Sequence, residues 1–196
     1  SLLLYLCRYL ADHKNYLVNT AALWGVACLL PALFGPAEDL FLAPMGFAIL
    51  SLNTPLGILL SCDPALEQAV RSLPGQERTF CLPYGGFLFC SHLAAEAVFL
   101  FSWQVQNGAV TGSMLLAAVL FAMQSAILTV LLEWGFPLRG WKLEADLWHH
   151  PRKYAVPLVL LAAAALLGAQ PALLPLLGLL QAAGLAVLLC IALRAR

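Results

Sequence analysis

Charge is what this chain has least of. Only 10% of its 196 residues are Asp, Glu, Lys or Arg, ten acidic against ten basic, for a formal net charge of zero. A chain with no surplus of positive charge has no general affinity for nucleic acid, whose binding begins with a basic face. It also cannot clothe an ordinary soluble exterior, for which about 25% charged residues is usual. Familiar catalytic signatures are missing too: there is no G-x-S-x-G, no H-E-x-x-H and no G-x-x-x-x-G-K-[ST]. Serine, zinc and nucleotide sites therefore have no direct support, and the chain carries no ATPase of its own. Six cysteines occur (Cys7, Cys28, Cys62, Cys81, Cys90 and Cys190), but no two form a C-x-x-C pair. None falls in a predicted outer turn, so they read as reduced, small, buried residues.

What fills the chain is hydrocarbon. With 62% hydrophobic residues and a mean hydropathy of +0.88, it reads as an all-α polytopic membrane protein, one transmembrane domain over 1–196. Residues Ser1 to Asn15 place Leu2, Leu3, Leu6 and Leu10 on one side of a helical wheel with Arg8 and Asp12 roughly opposite. This predicts an N-terminal helix lying in the membrane interface, apolar face down. Ser1 in place of an initiator methionine reads as a trimmed start, and no small-residue cleavage site follows the apolar run, which keeps the segment in the mature fold. Apolar runs of bilayer length then predict six spans: Leu17–Phe34, Leu40–Ser61, Cys81–Trp103, Thr111–Leu132, and two short antiparallel spans within Tyr154–Leu193. Gly168-Ala169-Gln170-Pro171 marks the turn between the last two. Pro31, Pro44 and Pro55 are expected to bend their helices.

Basic residues set the orientation, because they resist translocation. In the six-span reading Arg8, Lys14, Arg71, Arg78, Arg139, Lys142, Arg152, Lys153, Arg194 and Arg196 all fall on one side. The opposite turns hold no Lys or Arg, and one holds Glu38 and Asp39. Both termini, the 63–78 connection and the 133–153 connection are thereby expected in the cytosol. Reading Tyr154–Leu193 as a single span would strand Arg194 and Arg196 outside, so the same rule favours the hairpin.

The 63–78 stretch, DPALEQAVRSLPGQER, reads as a short helix. Asp63 is suited to accept from the free amides of a first turn, Pro64 to the first helical position, and Pro74-Gly75 stops it. Leu66, Ala69, Val70 and Leu73 repeat at helical spacing, while Glu67 and Arg71 stand four apart on another face. Such a helix lies along a surface and needs a cover for its apolar ridge, either membrane or partner.

Polar residues inside the predicted spans are the other candidates. Glu96 is the single acid well within a span, where an ionised carboxylate is costly unless paired or wetted. His92 lies one turn earlier, and Asn53 and Gln124 are possible partners from other spans. A helix-to-helix clamp and a substrate path both fit these residues. At the cytosolic interface Glu133, Glu144, Asp146, His149 and His150 gather, which keeps open a membrane-embedded enzyme. Glu144, Asp146, His149 and His150 also suggest a metal cluster, but adjacent histidines on a helix diverge by about 100°, and the neighbouring Trp141, Trp148 and Lys142 suit an interface helix better. No metal is assigned. A secondary carrier coupling through Glu96 would be expected to show inverted repeats, which the sequence does not display.

The interfacial start, the six spans with both ends inside and the short helix between the second and third resemble the membrane subunit of a type-2 ABC exporter. Locally, Arg71-Ser72-Leu73-Pro74 through Arg78 is similar to the "LP-x-x-R" stretch of the coupling loop in bacterial members. The resemblance implies a permease in the bacterial inner membrane, working as a dimer with a second copy or a homologous permease. It implies a separate ATP-binding cassette subunit, which holds ATP and Mg, docked on Leu66, Val70, Arg71, Leu73 and Arg78. Its cargo would be amphipathic or lipid-like, passing Asn53, His92, Glu96 and Gln124. The very short last outer turn and the Trp- and His-rich 133–153 connection depart from the pattern.

Overall fold

A computed structural model describes residues 2–34, 42–72, 75–138 and 150–194. The chain is all-α, with no strand among these residues. The first helix, α1 (Leu2–Asp12), is separated at His13 from α2 (Lys14–Phe34). After it come α3 (Ala43–Leu50), α4 (Thr54–Gly57), α5 (Leu59–Cys62) and α6 (Pro64–Ser72). Two long helices follow, α7 (Gln76–Asn107) and α8 (Gly112–Gly135), and then α9 (Ala155–Ala169) and α10 (Leu174–Arg194), each entered through a short 3-10 turn. Among the described residues, five segments are long and apolar enough to cross a membrane: Lys14–Phe34, Arg78–Asn107, Gly112–Gly135, Pro151–Ala169 and Pro171–Ile191. The chain is thus a multi-pass membrane protein. The predicted hairpin at Gln170 is present as two helices. The predicted turn at 35–39 lies outside the described residues, as does most of the 133–153 connection.

The predicted second span differs most from expectation. Leu40–Ser61 is not one helix but α3, α4 and α5, interrupted at Ser51–Asn53 and again at Ile58. Proline chemistry explains the first break. In a continuous helix the Ser51 carbonyl would accept from the amide of residue 55, but Pro55 has none; the Asn53 amide takes that carbonyl instead, at 2.9 Å. Pro55 and Pro44 therefore sit in the first turns of α4 and α3 and start helices rather than bend them. Pro31 does lie inside α2. Around it, α7 donates to two α2 carbonyls: Ser102 and Gln106 to the Cys28 oxygen, and Asn107 to that of Pro31, in the last turn of α2 where the carbonyls have no helical donor.

Two apolar clusters stack along the bundle. One joins α2, α3, α9 and the first turns of α10 to Phe99 of α7 and Phe121 of α8. At its centre Phe47 meets the Phe99 ring edge-on, centroids 5.3 Å apart. Gly46 permits this approach, since a Cβ there would stand 2.6 Å from that ring. The second cluster joins α4, α5 and the latter part of α10 to Phe80, Tyr84 and Leu88 of α7, and it also takes in Leu6 and Val70. Helix α7, at 32 residues, is about 48 Å long against a hydrocarbon core of about 30 Å. It outreaches the membrane and supplies a post against which α1 and α6 pack. Accordingly Leu6 of α1 is buried against protein, where the sequence alone suggested lipid.

Candidate functional site

The interrupted segment frees backbone groups, and buried side chains from α7 and α8 take them. Tyr84 of α7 donates its hydroxyl to the Leu56 carbonyl. Beyond the Ile58 break, the Ser61 amide donates to Glu133 Oε2 at 3.0 Å, and the Ser61 hydroxyl donates to Oε1 at 2.9 Å. Glu133, at the end of α8, is 0% exposed. Its charge is met by Arg152, just before α9, which also donates to the Phe136 carbonyl. The Ser61 oxygen in turn accepts from the Leu138 amide at 2.8 Å. One carboxylate thereby ties α5, the end of α8 and the start of α9 into a knot. Irregular backbone at membrane depth is tolerable only when buried and satisfied in this way.

Next to this knot stands α6. Asp63 caps it as expected: Oδ1 accepts from the amides of Ala65 and Leu66 at 3.1 and 3.0 Å. Its Oδ2 accepts from the Tyr5 hydroxyl of α1 at 2.8 Å. Burial and the adjacent Asp63 carboxylate push the Tyr5 phenol up to about 12, so it stays a donor at neutral pH. Arg71 pairs with Glu67 at 2.8 Å, donates to the Trp134 carbonyl at 2.6 Å and lies 4.5 Å from the centre of the Trp134 ring. Gly75, at φ 76°, then takes the left-handed turn that sends the chain into α7.

Two residues of the apolar ridge of α6, Leu66 and Val70, are covered by the bundle. Val70 is 7% exposed and packs in the second cluster, with Leu66 half-buried against it. For Val70 and Leu66 this corrects the expectation that membrane or a partner covers the ridge; Ala69 stays exposed. The face left outward is formed by Ala65, Gln68, Ala69 and Ser72, with Arg71 on its edge and Arg78 exposed beyond the turn. Leu73 lies outside the described residues.

Among the intramembrane residues, Glu96 is 2% exposed and its Oε2 has no hydrogen-bond partner among the described residues. His92 bonds not to Glu96 but across to Ser125 of α8, Nε2 to Oγ at 3.0 Å. Oδ1 of Asn53 and Oε1 of Gln124 are likewise buried without partners there. Asn53 and His92 line a cavity of about 30 Å³ with Thr129 and Arg152. Glu144, Asp146 and His149 lie outside the described residues; His150 is exposed, and its Nδ1 accepts from the Arg152 amide at 3.2 Å. No group of three metal-ligating side chains occurs among the described residues.

Sequence reasoning missed the Ser61–Glu133–Arg152 knot. Its members are 72 and 19 positions apart, and Glu133 read as the first residue of a cytosolic connection. No local signal pointed to it: Pro55 marks the break at Ser51–Asn53, whereas the Ser61 amide is left free by the break at Ile58, where the sequence has no proline. Comparison with known proteins finds no matching family model, no matching curated protein and no matching solved structure. Functional inference therefore rests on chemistry and geometry.

Proposed function

We propose that this chain is the membrane-spanning subunit of an ATP-driven exporter in a bacterial cytoplasmic membrane. It would pair with a second copy or a homologous permease and be driven by a separate ATP-binding cassette subunit that brings ATP and Mg. The observation that carries the reading is the two-sidedness of α6. Its apolar side is locked to the bundle through Val70, and Arg71 and Asp63 bind it to Trp134 and to α1, while a small polar face points away. A helix of nine residues is marginal alone in water; fastened in this way it becomes a lever that passes a push to α7 and α8. In this reading α3, α4 and α5 together make the second of six crossings, since they run from the first apolar cluster to the second. The one-sided placement of Lys and Arg then puts both termini and α6 in the cytosol. Cargo of amphipathic or lipid-like character would pass Glu96, Gln124, His92 and Asn53; the unpartnered oxygens of Glu96, Gln124 and Asn53 suit a polar group moving among apolar helices.

The test is co-purification. A tagged chain should bring down an ATPase, and Ala69→Arg on the outward face should release it while the permease keeps its wild-type melting temperature. An Ala69→Arg chain that retains its ATPase and its cargo-stimulated hydrolysis would remove α6 as the docking element. The unpartnered Oε2 of Glu96 favours a second reading, a carrier coupled to an ion gradient. Transport in vesicles that hold a gradient but no ATP would select it.

A further inference from the structure

The knot around Glu133 also closes a cavity. Where the predicted second span breaks, a space of about 30 Å³ remains, lined by Asn53 and Ile58 of the broken segment, His92 of α7, Thr129 of α8 and Arg152 ahead of α9. Three of these walls run into the knot within one turn. Thr129 stands four residues before Glu133 on α8, Ile58 three before Ser61, and Arg152 belongs to both cavity and knot. Three elements that share no helix are thus held together under the cavity by one carboxylate.

Two features suit this closure to opening. The first is α5, four residues long and flanked by Ile58 and Asp63, whose backbones lie outside the helical region (φ −125°, ψ 27° and φ −121°, ψ 89°). Rotation at these two positions carries Ser61 away from Glu133 without unwinding a turn of another helix. The second is the use of charge. Glu133 is wholly buried, while the Arg152 side chain keeps 13% exposure, so water stands at the knot's edge. Apolar side chains of the same volume would join these elements with no loss of hydration, whereas a buried ion pair loses in hydration much of what its attraction supplies. Charges that regain water on parting leave the closed and parted states near in energy. A fixed seam gains nothing from that balance, and a switch requires it.

We propose that Ser61, Glu133 and Arg152 form a latch that shuts the cavity from the water at the start of α9, and that parting α5 and Arg152 from Glu133 opens it. The latch goes beyond the transport reading and does not need it. Its experiment uses no ATPase, cargo or membrane, so a failed latch leaves the exporter reading standing, and loss of that reading leaves the latch.

In the full chain with its six cysteines replaced, Thr129→Cys reports on the cavity. Ala117→Cys, fully buried in the first cluster on the same helix, reports on the fold. Each is reacted in detergent with a trimethylammonium methanethiosulfonate, a reagent too large for a 30 Å³ space, so that only an opened latch admits it. Glu133→Gln, which keeps the size and removes the charge, should speed modification of Thr129→Cys about tenfold or more and leave Ala117→Cys slow. Glu133→Leu/Arg152→Met, which regains no hydration on parting, should instead slow Thr129→Cys below the rate seen with both charges in place. Equal rates with and without the Glu133 charge would overturn the latch. An equal rise at Ala117→Cys would overturn it too, by showing that the pair only holds the fold. If Glu133→Gln does not fold, the double variant decides alone: modification as fast as with both charges, or faster, overturns the latch.

Discussion

Replacing Val70 with Asp tests how α6 is held. Val70 is buried in the cluster that joins α4, α5, α7 and α8. Losing its apolar burial costs about 1.5–3 kcal/mol, and a carboxylate placed there without a partner costs several more. The sum, roughly 4–6 kcal/mol, rivals the whole stability of many domains, so α6 should leave the bundle before the rest unfolds. The polar tethers cannot hold it alone. Arg71 and Tyr5 make exposed contacts, each worth about 1 kcal/mol or less. Limited proteolysis in detergent should then cut Val70→Asp rapidly within 63–78, where the wild-type chain resists, and the second cluster should show lowered protection in hydrogen exchange. Gln68→Asp, two residues away on the outward face, should shift stability by less than about 0.5 kcal/mol and leave the cleavage rate alone. If Val70→Asp and Gln68→Asp are cut at the same wild-type rate, the ridge does not bear on the bundle and the lever argument fails. Val70→Asp and Ala69→Arg also separate fold from coupling: if an ATPase docks on α6 as proposed, it should be lost from Val70→Asp because its platform moves, and from Ala69→Arg because its contact face changes.

Three further outcomes follow from the same geometry. Arg152→Met should destabilise by about 3–5 kcal/mol, since it leaves Glu133 buried and uncompensated, whereas the double variant Glu133→Leu/Arg152→Met should recover most of that loss in thermal unfolding; a double variant no better than the single would deny that the charges act as a pair. In a cysteine-free chain, cysteines placed at Ala109 and Gln170 should react with an impermeant reagent added outside, and one at Gln68 should not; labelling of Gln68 from outside would reverse the orientation. Under the proposed transport function, Glu96→Gln should preserve the melting temperature and slow transport, while wild-type transport by that variant would leave Glu96 a helix clamp.

Much of this protein was legible in its sequence because membrane helices are governed by local rules. Apolar runs of bilayer length, a Gly-Ala-Gln-Pro turn and an Asp-Pro cap each act within a few residues, so α2, α7, α8, the α9–α10 hairpin and the capped α6 could be read directly. The same composition that declares a span hides its interior: Leu40–Ser61 is apolar throughout, and hydropathy cannot report that Pro55 strips Ser51 of its helical donor. Which face of α6 is covered depended on Phe80 and Trp134, residues brought to it only by the packing of α7 and α8. Glu133 is the sharpest case. Next to a run of leucines and tryptophan it looks like the first wet residue after a span, and only the tertiary fold, by carrying Ser61 and Arg152 to it, makes a buried carboxylate affordable. Short-range chemistry belongs to the sequence; long-range charge pairing, between residues that share neither helix nor register, is decided by the bundle.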